Sequence, residues 1–342
     1  NKVINCIGTI SYERPDFRQF QERLINSFTP EPWTKLIIII PCSSKKPYSE
    51  SKSHKKFQSI LRKFPDFPSF QEIILTSPLG AIPRQFENIY PVNSYDISVT
   101  GEWDPKEIKI TSEMLKSILE KFSDNIPILC HLKGRGYFNV IKKVQKFLKH
   151  KFYFSEVKQN LTTKESLESL FERIDQLKSI YQPRELNNLT NTLHRSWNRK
   201  LSKIYDYQFG SGSGSHLLHD NIVIRKSNRS NKLEIKDKQN NIILGNFNFD
   251  SGQIEPTLEG LRNSENLSKF ENKIIFDDDK ITGTTLFRPG VLHFNSELKP
   301  GQIVIILNKS KERVIGIGRL LIGSNYIKNT ISGKIADIYE KS

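Results

Sequence analysis

The sequence predicts an α/β protein whose first half is a mainly parallel sheet covered by helices and whose last part is β. Three observations predict this. Lys35-Leu36-Ile37-Ile38-Ile39-Ile40 is apolar, β-branched and closed by Pro41, as a strand buried on both faces would be. Strand-like and helical segments alternate from residue 1 to about residue 185, the rhythm of βαβ units. From about residue 271 the chain turns into closely spaced short strands with glycines at the corners, which suggests a small barrel.

Pro15 to Phe28 has helical spacing, with Phe17, Phe20, Leu24, Ile25 and Phe28 on one side. Strands are expected at Lys35–Pro41, Glu72–Ser77 and Ile126–His131, with a shorter one near Phe152–Phe154. Helices are expected at Lys55–Lys63, Ser112–Phe122 and Tyr137–Lys149, Ser112 with Glu113 serving as a start signal. Leu167–Ile180 and Glu185–Ile204 read as two further helices, the second carrying Arg195, Arg199, Lys200 and Lys203. Gly210 to Ser215 alternates glycine and serine and reads as a flexible stretch, a linker or a substrate-contacting loop. Short strands with turn signals such as Gln239-Asn240-Asn241 follow, then a helical Pro256–Arg262. The final strands are Lys273–Phe276, Val291–Phe294, Ile303–Leu307, Val314–Leu321 and Ile335–Tyr339. Three domains result: an α/β core over 1–185, a small α+β domain over 186–270, and a β-barrel over 271–342.

Composition narrows the function. With 36% hydrophobic and 26% charged residues the chain has a globular make-up, and no apolar run approaches the roughly 18–20 residues of a membrane span. No signal peptide is visible, so a cytoplasmic location and no membrane partner are expected. Three cysteines without CxxC or Cys/His spacing argue against a disulfide framework, a metal site or an iron–sulfur site. A net charge of +15 and a pI near 9.5 point to a polyanionic partner, nucleic acid above all. No P-loop or dinucleotide fingerprint is present, and no cofactor is expected.

The densest run of reactive side chains follows the Lys35–Ile40 strand directly: Pro41-Cys42-Ser43-Ser44-Lys45-Lys46-Pro47-Tyr48-Ser49-Glu50-Ser51-Lys52-Ser53-His54. Open α/β sheets place their sites outside the carboxyl ends of their strands, so this run is the candidate active site. It fits the pattern PC-x3-KPY-x2-S-x2-H at every fixed position, and that pattern resembles the signature of the archaeosine synthase α-subunit family, the tRNA lysine transferases acting on 7-cyano-7-deazaguanine (preQ0). Further segments are similar to the family in the same order: Thr76-Ser77-Pro78-Leu79-Gly80, Ile82-Pro83-Arg84, Tyr90-Pro91, Tyr95-Asp96-Ile97, Val99-Thr100-Gly101 and Trp103-Asp104. So are Asp206-Tyr207-Gln208-Phe209-Gly210 and Thr257-Leu258-Glu259-Gly260. Gly283, Arg288-Pro289-Gly290-Val291, Leu298-Lys299-Pro300-Gly301 and Ile315-Gly316-Ile317-Gly318-Arg319 look like a PUA domain, an RNA-binding barrel.

The resemblance implies an α/β sandwich core similar to uracil-DNA glycosylases. It also implies addition of the ε-amine of free L-lysine to the nitrile of the modified base at position 15 of archaeal tRNA, giving the amidine precursor of archaeosine. A radical-SAM β-subunit is the implied partner that then cleaves the lysine adduct. Typical members carry a transglycosylase-like half with a zinc-site pattern before this core, which these residues lack. The expectation is a short or split form, with a separate transglycosylase-like subunit as a further partner. The alternative is a non-catalytic tRNA-binding subunit of a transglycosylase or archaeosine synthase complex; a base-excising or base-exchanging enzyme is a second rival.

Addition of an amine to a nitrile needs a deprotonated amine, a proton donor for the nitrile nitrogen and groups that hold the amino acid. Cys42 attacks the nitrile to give a thioimidate, or is a small residue under the turn while the amine attacks directly. His54 is base or acid, or a structural cap of the following helix. Lys46 and Tyr48 are donors to the nitrile nitrogen or to phosphate, and Ser51 a catalytic hydroxyl or a helix cap. Asp96 is the best carboxylate for the substrate ammonium, ahead of Glu102 and Asp104, and Arg84 would take its carboxylate bidentately. Pro41, Ser43, Ser77, Pro78, Tyr95, Thr100 and Gly101 complete the expected substrate site. Cys130-His131 followed by Gly134-Arg135-Gly136-Tyr137 reads as a phosphate or carboxylate cradle, or as ordinary turn chemistry. Trp103 and Trp197 are candidates to stack on bases, and Arg288, His293, Lys299 and Arg319 are the expected RNA contacts.

Overall fold

In a computed structural model, residues 3–6, 9–97, 102–183, 197–216, 222–228, 230–262 and 267–342 are described. The chain divides into two units, Asn1–Arg199 and Lys200–Ser342. The first unit opens with β1 (Ile4–Asn5) and α1 (Pro15–Ser27), a helix started by Pro15 and burying Phe17, Phe20 and Leu24 on one stripe. β2 (Leu36–Pro41) follows, buried at every residue. Then come α2 (Lys52–Leu61), β3 (Phe70–Thr76), β4 (Gly80–Pro83) and β5 (Tyr95–Asp96), the last pairing in parallel with β1. α3 (Pro105–Leu119), β6 (Ile128–Cys130), α4 (Arg135–Val144), β7 (Phe152–Phe154) and α5 (Lys164–Tyr181) complete the unit.

The core is a five-stranded sheet of order β4-β3-β2-β6-β7, with β3, β2, β6 and β7 parallel and β4 antiparallel to β3. Neither face of β2 or β3 reaches solvent, so helices cover the sheet on both sides, as a parallel sheet requires. Full burial of an isoleucine is worth about 1.5–3 kcal/mol, and Ile37 to Ile40 are all 0% exposed. α2 packs on α5, while α3 packs on α1, α4 and β4.

The α/β, largely parallel core is therefore the one the sequence predicts, with two local differences. Helix α3 does not start at Ser112. Asp104 is its N-cap, accepting from the backbone N–H groups of Lys106 and Glu107, and Glu107 closes a capping box on Asp104 N–H, so Pro105 is the first helical residue. The segment holding Ile82 and Pro83, for which no strand is expected from the sequence, is β4, which doubles back on β3 with Thr76 facing Gly80. The tight turn is permitted by Gly80 at φ +99°. Of the predicted Glu185–Ile204 helix, residues 185–196 lie outside the described residues.

In the second unit, helix α6 (Trp197–Phe209), which begins at the unit boundary, leads to a four-stranded antiparallel sheet of β8 (Ile222–Lys226), β9 (Lys232–Asp237), β10 (Ile242–Asn248) and β11 (Gln253–Pro256). The short α7 (Leu258–Arg262) then leads to β12 (Lys273–Phe276), β13 (Thr285–Phe287), β14 (Val291–Phe294), β15 (Ile303–Leu307), β16 (Val314–Leu320), α8 (Ser324–Asn329) and β17 (Lys334–Lys341). These six strands form one sheet of order β13-β17-β16-β15-β12-β14 around a core of Ile274, Leu286, Val304, Ile306, Ile315, Ile327 and Ile335. The glycine–serine stretch is not a flexible linker. Gly214 N–H donates to Asp206 Oδ1 at 2.7 Å, and a Cβ at Gly214 would lie 2.2 Å from the Ser202 carbonyl oxygen. Glycine serves close approach to α6 there, with Ser213 wholly buried.

Candidate active site

The carboxyl ends of the parallel strands bring four segments to one edge. β2 runs into Cys42, whose backbone N–H donates to Leu75 O at 3.0 Å. β3 ends in Thr76 and Ser77, β6 in Cys130 and His131, and β7 in Phe154 and Ser155.

The run after Cys42 is folded by side chains far away in sequence. Ser49 N–H donates to the Glu87 carboxylate at 2.9 Å. Tyr48 Oη lies 2.5 Å from Tyr95 Oη, which also bonds Thr76 Oγ1. Burial pushes both phenols up, so this hydroxyl cluster stays protonated. Ser51 is the N-cap of α2, its Oγ accepting from His54 N–H at 3.2 Å. The His54 ring stacks on Tyr48 with centroids 5.4 Å apart and is 0% exposed.

His54 Nδ1 lies 2.8 Å from Arg84 Nη2. A guanidinium can only donate, so Nδ1 accepts and the imidazole proton sits on Nε2. Burial first, then the Arg84 charge, push His54 down to about 3. It is neutral across the working range and wholly buried, its Nε2–H without a hydrogen-bond partner. Arg84 in turn donates from Nε at 3.0 Å and Nη2 at 2.5 Å to Glu72, and from Nη1 at 3.0 Å to Glu87. Its planar fork is filled from within and it is 7% exposed, so it is placed as an internal tie and not as a clamp for a substrate carboxylate.

Two signature side chains keep their reactive atoms out of this bonding. Lys46 Nζ has no hydrogen-bond partner and sits 4.0 Å from the centroid of the Tyr95 ring. Burial lowers its pKa, against the opposing influence of Cys42, Asp96 and Cys6. Cys42 is half-buried, and its Sγ lies 3.6 Å from Tyr137 Oη. Tyr137 stands in the first turn of α4, entered through Gly134 at φ +114°, with its ring 4.7 Å from that of Trp103. Burial, reinforced by Cys42, holds its phenol well above the ordinary value.

The other expected residues divide between scaffold and surface. Pro41 is buried at the end of β2, and Ser43 Oγ donates to Lys45 O at 3.0 Å. Ser77 Oγ bonds Glu107, and Pro78 O accepts from Gln21. Tyr95 is 2% exposed, its ring against Phe17 as well as under Lys46. Asp96 is exposed on β5 within electrostatic reach of Lys46, whereas Asp104 is spent as the cap of α3. Thr100 and Gly101 lie outside the described residues. His131 Nε2 donates to Leu161 O at 2.9 Å, and in the neutral imidazole that burial favours Nδ1 accepts from Ser155 Oγ at 2.7 Å. It pins β6 to the loop after β7, while Arg135 at the start of α4 is exposed. Cys130 is buried.

Among the expected RNA contacts, Arg288 donates to the carbonyls of Ile327 and Val291, and Arg319 to Gln253 and Gly301 O. His293 and Lys299 are exposed. Among the described residues no cluster of three or more His, Cys, Asp or Glu is placed to hold a metal ion. No helix among them is long and apolar enough to cross a membrane.

Sequence reasoning did not single out Thr76, Glu72, Glu87 or the Tyr137 phenol. The available signal for Tyr137 was a phenol in the first turn of a helix that directly follows a strand end.

Residues 17–174 match a family model described as a domain of unknown function, DUF5591, and residues 280–341 match the PUA domain. The archaeosine synthase subunit alpha of Thermococcus kodakarensis is 30% identical over 94% of this chain. The archaeosine synthase of Methanocaldococcus jannaschii is 28% identical over 99% of it. The chain is thus similar to archaeosine synthases over nearly all of its own length. It spans about half the length of these curated relatives, 53% and 55% respectively. A tRNA-guanine(15) transglycosylase of Methanobrevibacter smithii is 23% identical over 91% of the chain and 41% of its own length. The crystal structure of AF0587, a protein of unknown function, shares the fold with a TM-score of 0.67, covering 95% of this chain and 100% of its own at 21% identity.

Proposed function

We propose that this chain takes part in archaeosine biosynthesis by joining free L-lysine, through its ε-amine, to the nitrile of 7-cyano-7-deazaguanine at position 15 of tRNA. The observation that carries the reading is the pair left over when the signature run has folded: the Cys42 thiol and the unpartnered Lys46 amine at the carboxyl edge of the sheet. Cys42 adds to the nitrile carbon, its S–H crossing the triple bond to give a thioimidate. The lysine amine then attacks that carbon and expels the thiol, leaving an amidine; no oxidant, reductant or nucleotide is consumed. Free lysine is an ammonium at neutral pH, and Lys46, whose pKa burial lowers, accepts its proton. Asp96, exposed beside Lys46, receives the α-ammonium of the substrate.

In this reading the PUA domain grips the tRNA and a radical-SAM β-subunit processes the adduct. The reaction would run in the cytoplasm, on a core of the uracil-DNA-glycosylase-like type. The test is nucleoside mass spectrometry on tRNA bearing the cyano base, incubated with this chain and isotopically labelled lysine. A labelled lysine adduct that disappears in Cys42→Ala is the expected result. No adduct, even with a transglycosylase-like subunit added, would overturn lysine transfer and leave a non-catalytic tRNA-binding subunit as the account.

A further inference from the structure

We infer that Tyr137 is a catalytic residue, the proton carrier at Cys42: its O–H protonates the nitrile nitrogen while the thiol proton passes to its oxygen. The identity of the electrophile rests on the lysine-transfer reading; the pairing of phenol and thiol does not. Adding Cys42 to a nitrile creates an imine nitrogen that needs a proton at the moment the sulfur loses one. Tyr137 Oη is 3.6 Å from Sγ, and no other side chain among the described residues is hydrogen-bonded to Cys42. Of the acid–base groups within the signature run, Lys46 takes the proton of the incoming amine, and His54 is bonded to Arg84 and wholly buried. Tyr48 and Tyr95 bond each other and Thr76.

The placement of Tyr137 is fixed from two sides. Its ring is 2% exposed and packs on Trp103, and α4 begins two residues earlier, after the Gly134 turn. Only the hydroxyl end faces the sulfur. The step balances without a further reactant: the S–C bond forms, one C–N π bond becomes the N–H bond, and the phenol is regenerated. When lysine later displaces the sulfur, the same O–H returns a proton to the leaving thiolate, and its oxygen takes the proton that the attacking nitrogen gives up, so the phenol is again restored.

The test compares the full-length wild type with Tyr137→Phe, which keeps the ring against Trp103. The first readout is the rate of Cys42 alkylation by iodoacetamide at fixed pH, resolved by peptide mass spectrometry with Cys6 as the internal reference. Loss of one hydrogen bond to the thiolate lowers its population about tenfold, and the greater nucleophilicity of the remainder recovers part of this, so a fall of roughly threefold is expected. The second readout is lysine adduct formation, expected to fall roughly 10²-fold. A Cys42 alkylation rate equal to wild type would overturn the inference, whatever the adduct does. Slower alkylation in a protein whose wild type forms no adduct would uphold the phenol–thiol pair while removing lysine transfer. If Tyr137→Phe does not fold, 3-fluorotyrosine at position 137 keeps the shape and makes the phenol more acidic. The pH profile of Cys42 alkylation then moves to lower pH, and an unmoved profile overturns the inference.

Discussion

At the scale of single residues, the signature run separates side chains that fold it from side chains that remain chemically available. Lys46 belongs to the second kind. An amine lowered by burial is protonated below its folded pKa and neutral above it, so the rate of lysine transfer rises with pH through that value. Lys46→Met is expected to slow adduct formation by roughly 10²–10³-fold, and Lys46→Arg not to rescue it, because a guanidinium does not give up its proton. Product formation against pH by mass spectrometry checks both. His54 belongs to the first kind, and its signature is stability. The unfolded imidazole takes a proton near its ordinary value, whereas the folded one, facing Arg84, Tyr48, Phe57 and the field of Glu87, does so only at about 3. Its contribution is complete above pH 6.5 and is lost as the pH falls toward 3, at about 1.4 kcal/mol per pH unit. Urea midpoints at pH 7 and pH 5 should differ more in wild type than in His54→Phe.

At the scale of elements, the loop between β2 and α2 is held by bonds that a one-dimensional reading does not show. Ser51 was open in the sequence as a catalytic hydroxyl or a helix cap, and it is the cap, although the helix it starts begins at Lys52 and not at Lys55. Arg84 was read as a ligand clamp because a buried arginine looks the same in sequence as an exposed one. Its carboxylate partners, Glu72 and Glu87, sit in a strand and in a loop that sequence alone could not bring together. Breaking such a buried cluster from one side leaves uncompensated charge, so Arg84→Met is expected to lose about 3–5 kcal/mol. Ser51→Ala, which removes only a cap, should lose about 1 kcal/mol. Chemical denaturation of the two variants should rank them in that order.

At the scale of the whole molecule, the sheet and its carboxyl edge were visible in four isoleucines and a proline, because burial on both faces writes a continuous apolar run. The short strands β1, β5 and β13 were not visible, since two or three residues of mixed polarity carry no pattern, unlike the aromatic run Phe152–Phe154. The +15 charge belongs to this scale too. If it serves tRNA, binding releases counterions, and affinity should fall roughly 10³-fold or more between 50 and 200 mM salt for six or more phosphate contacts. Fluorescence anisotropy with labelled tRNA over that range measures the slope, and a flat response would remove electrostatic grip as the role of the charge. The Arg84 cluster has one more consequence. The fourteen residues from Pro41 to His54 are not a portable cassette: grafted onto another α/β sheet without counterparts of Glu72, Arg84, Glu87 and Tyr95, they would arrive with their thiol and amine but without the mould that holds the run in shape.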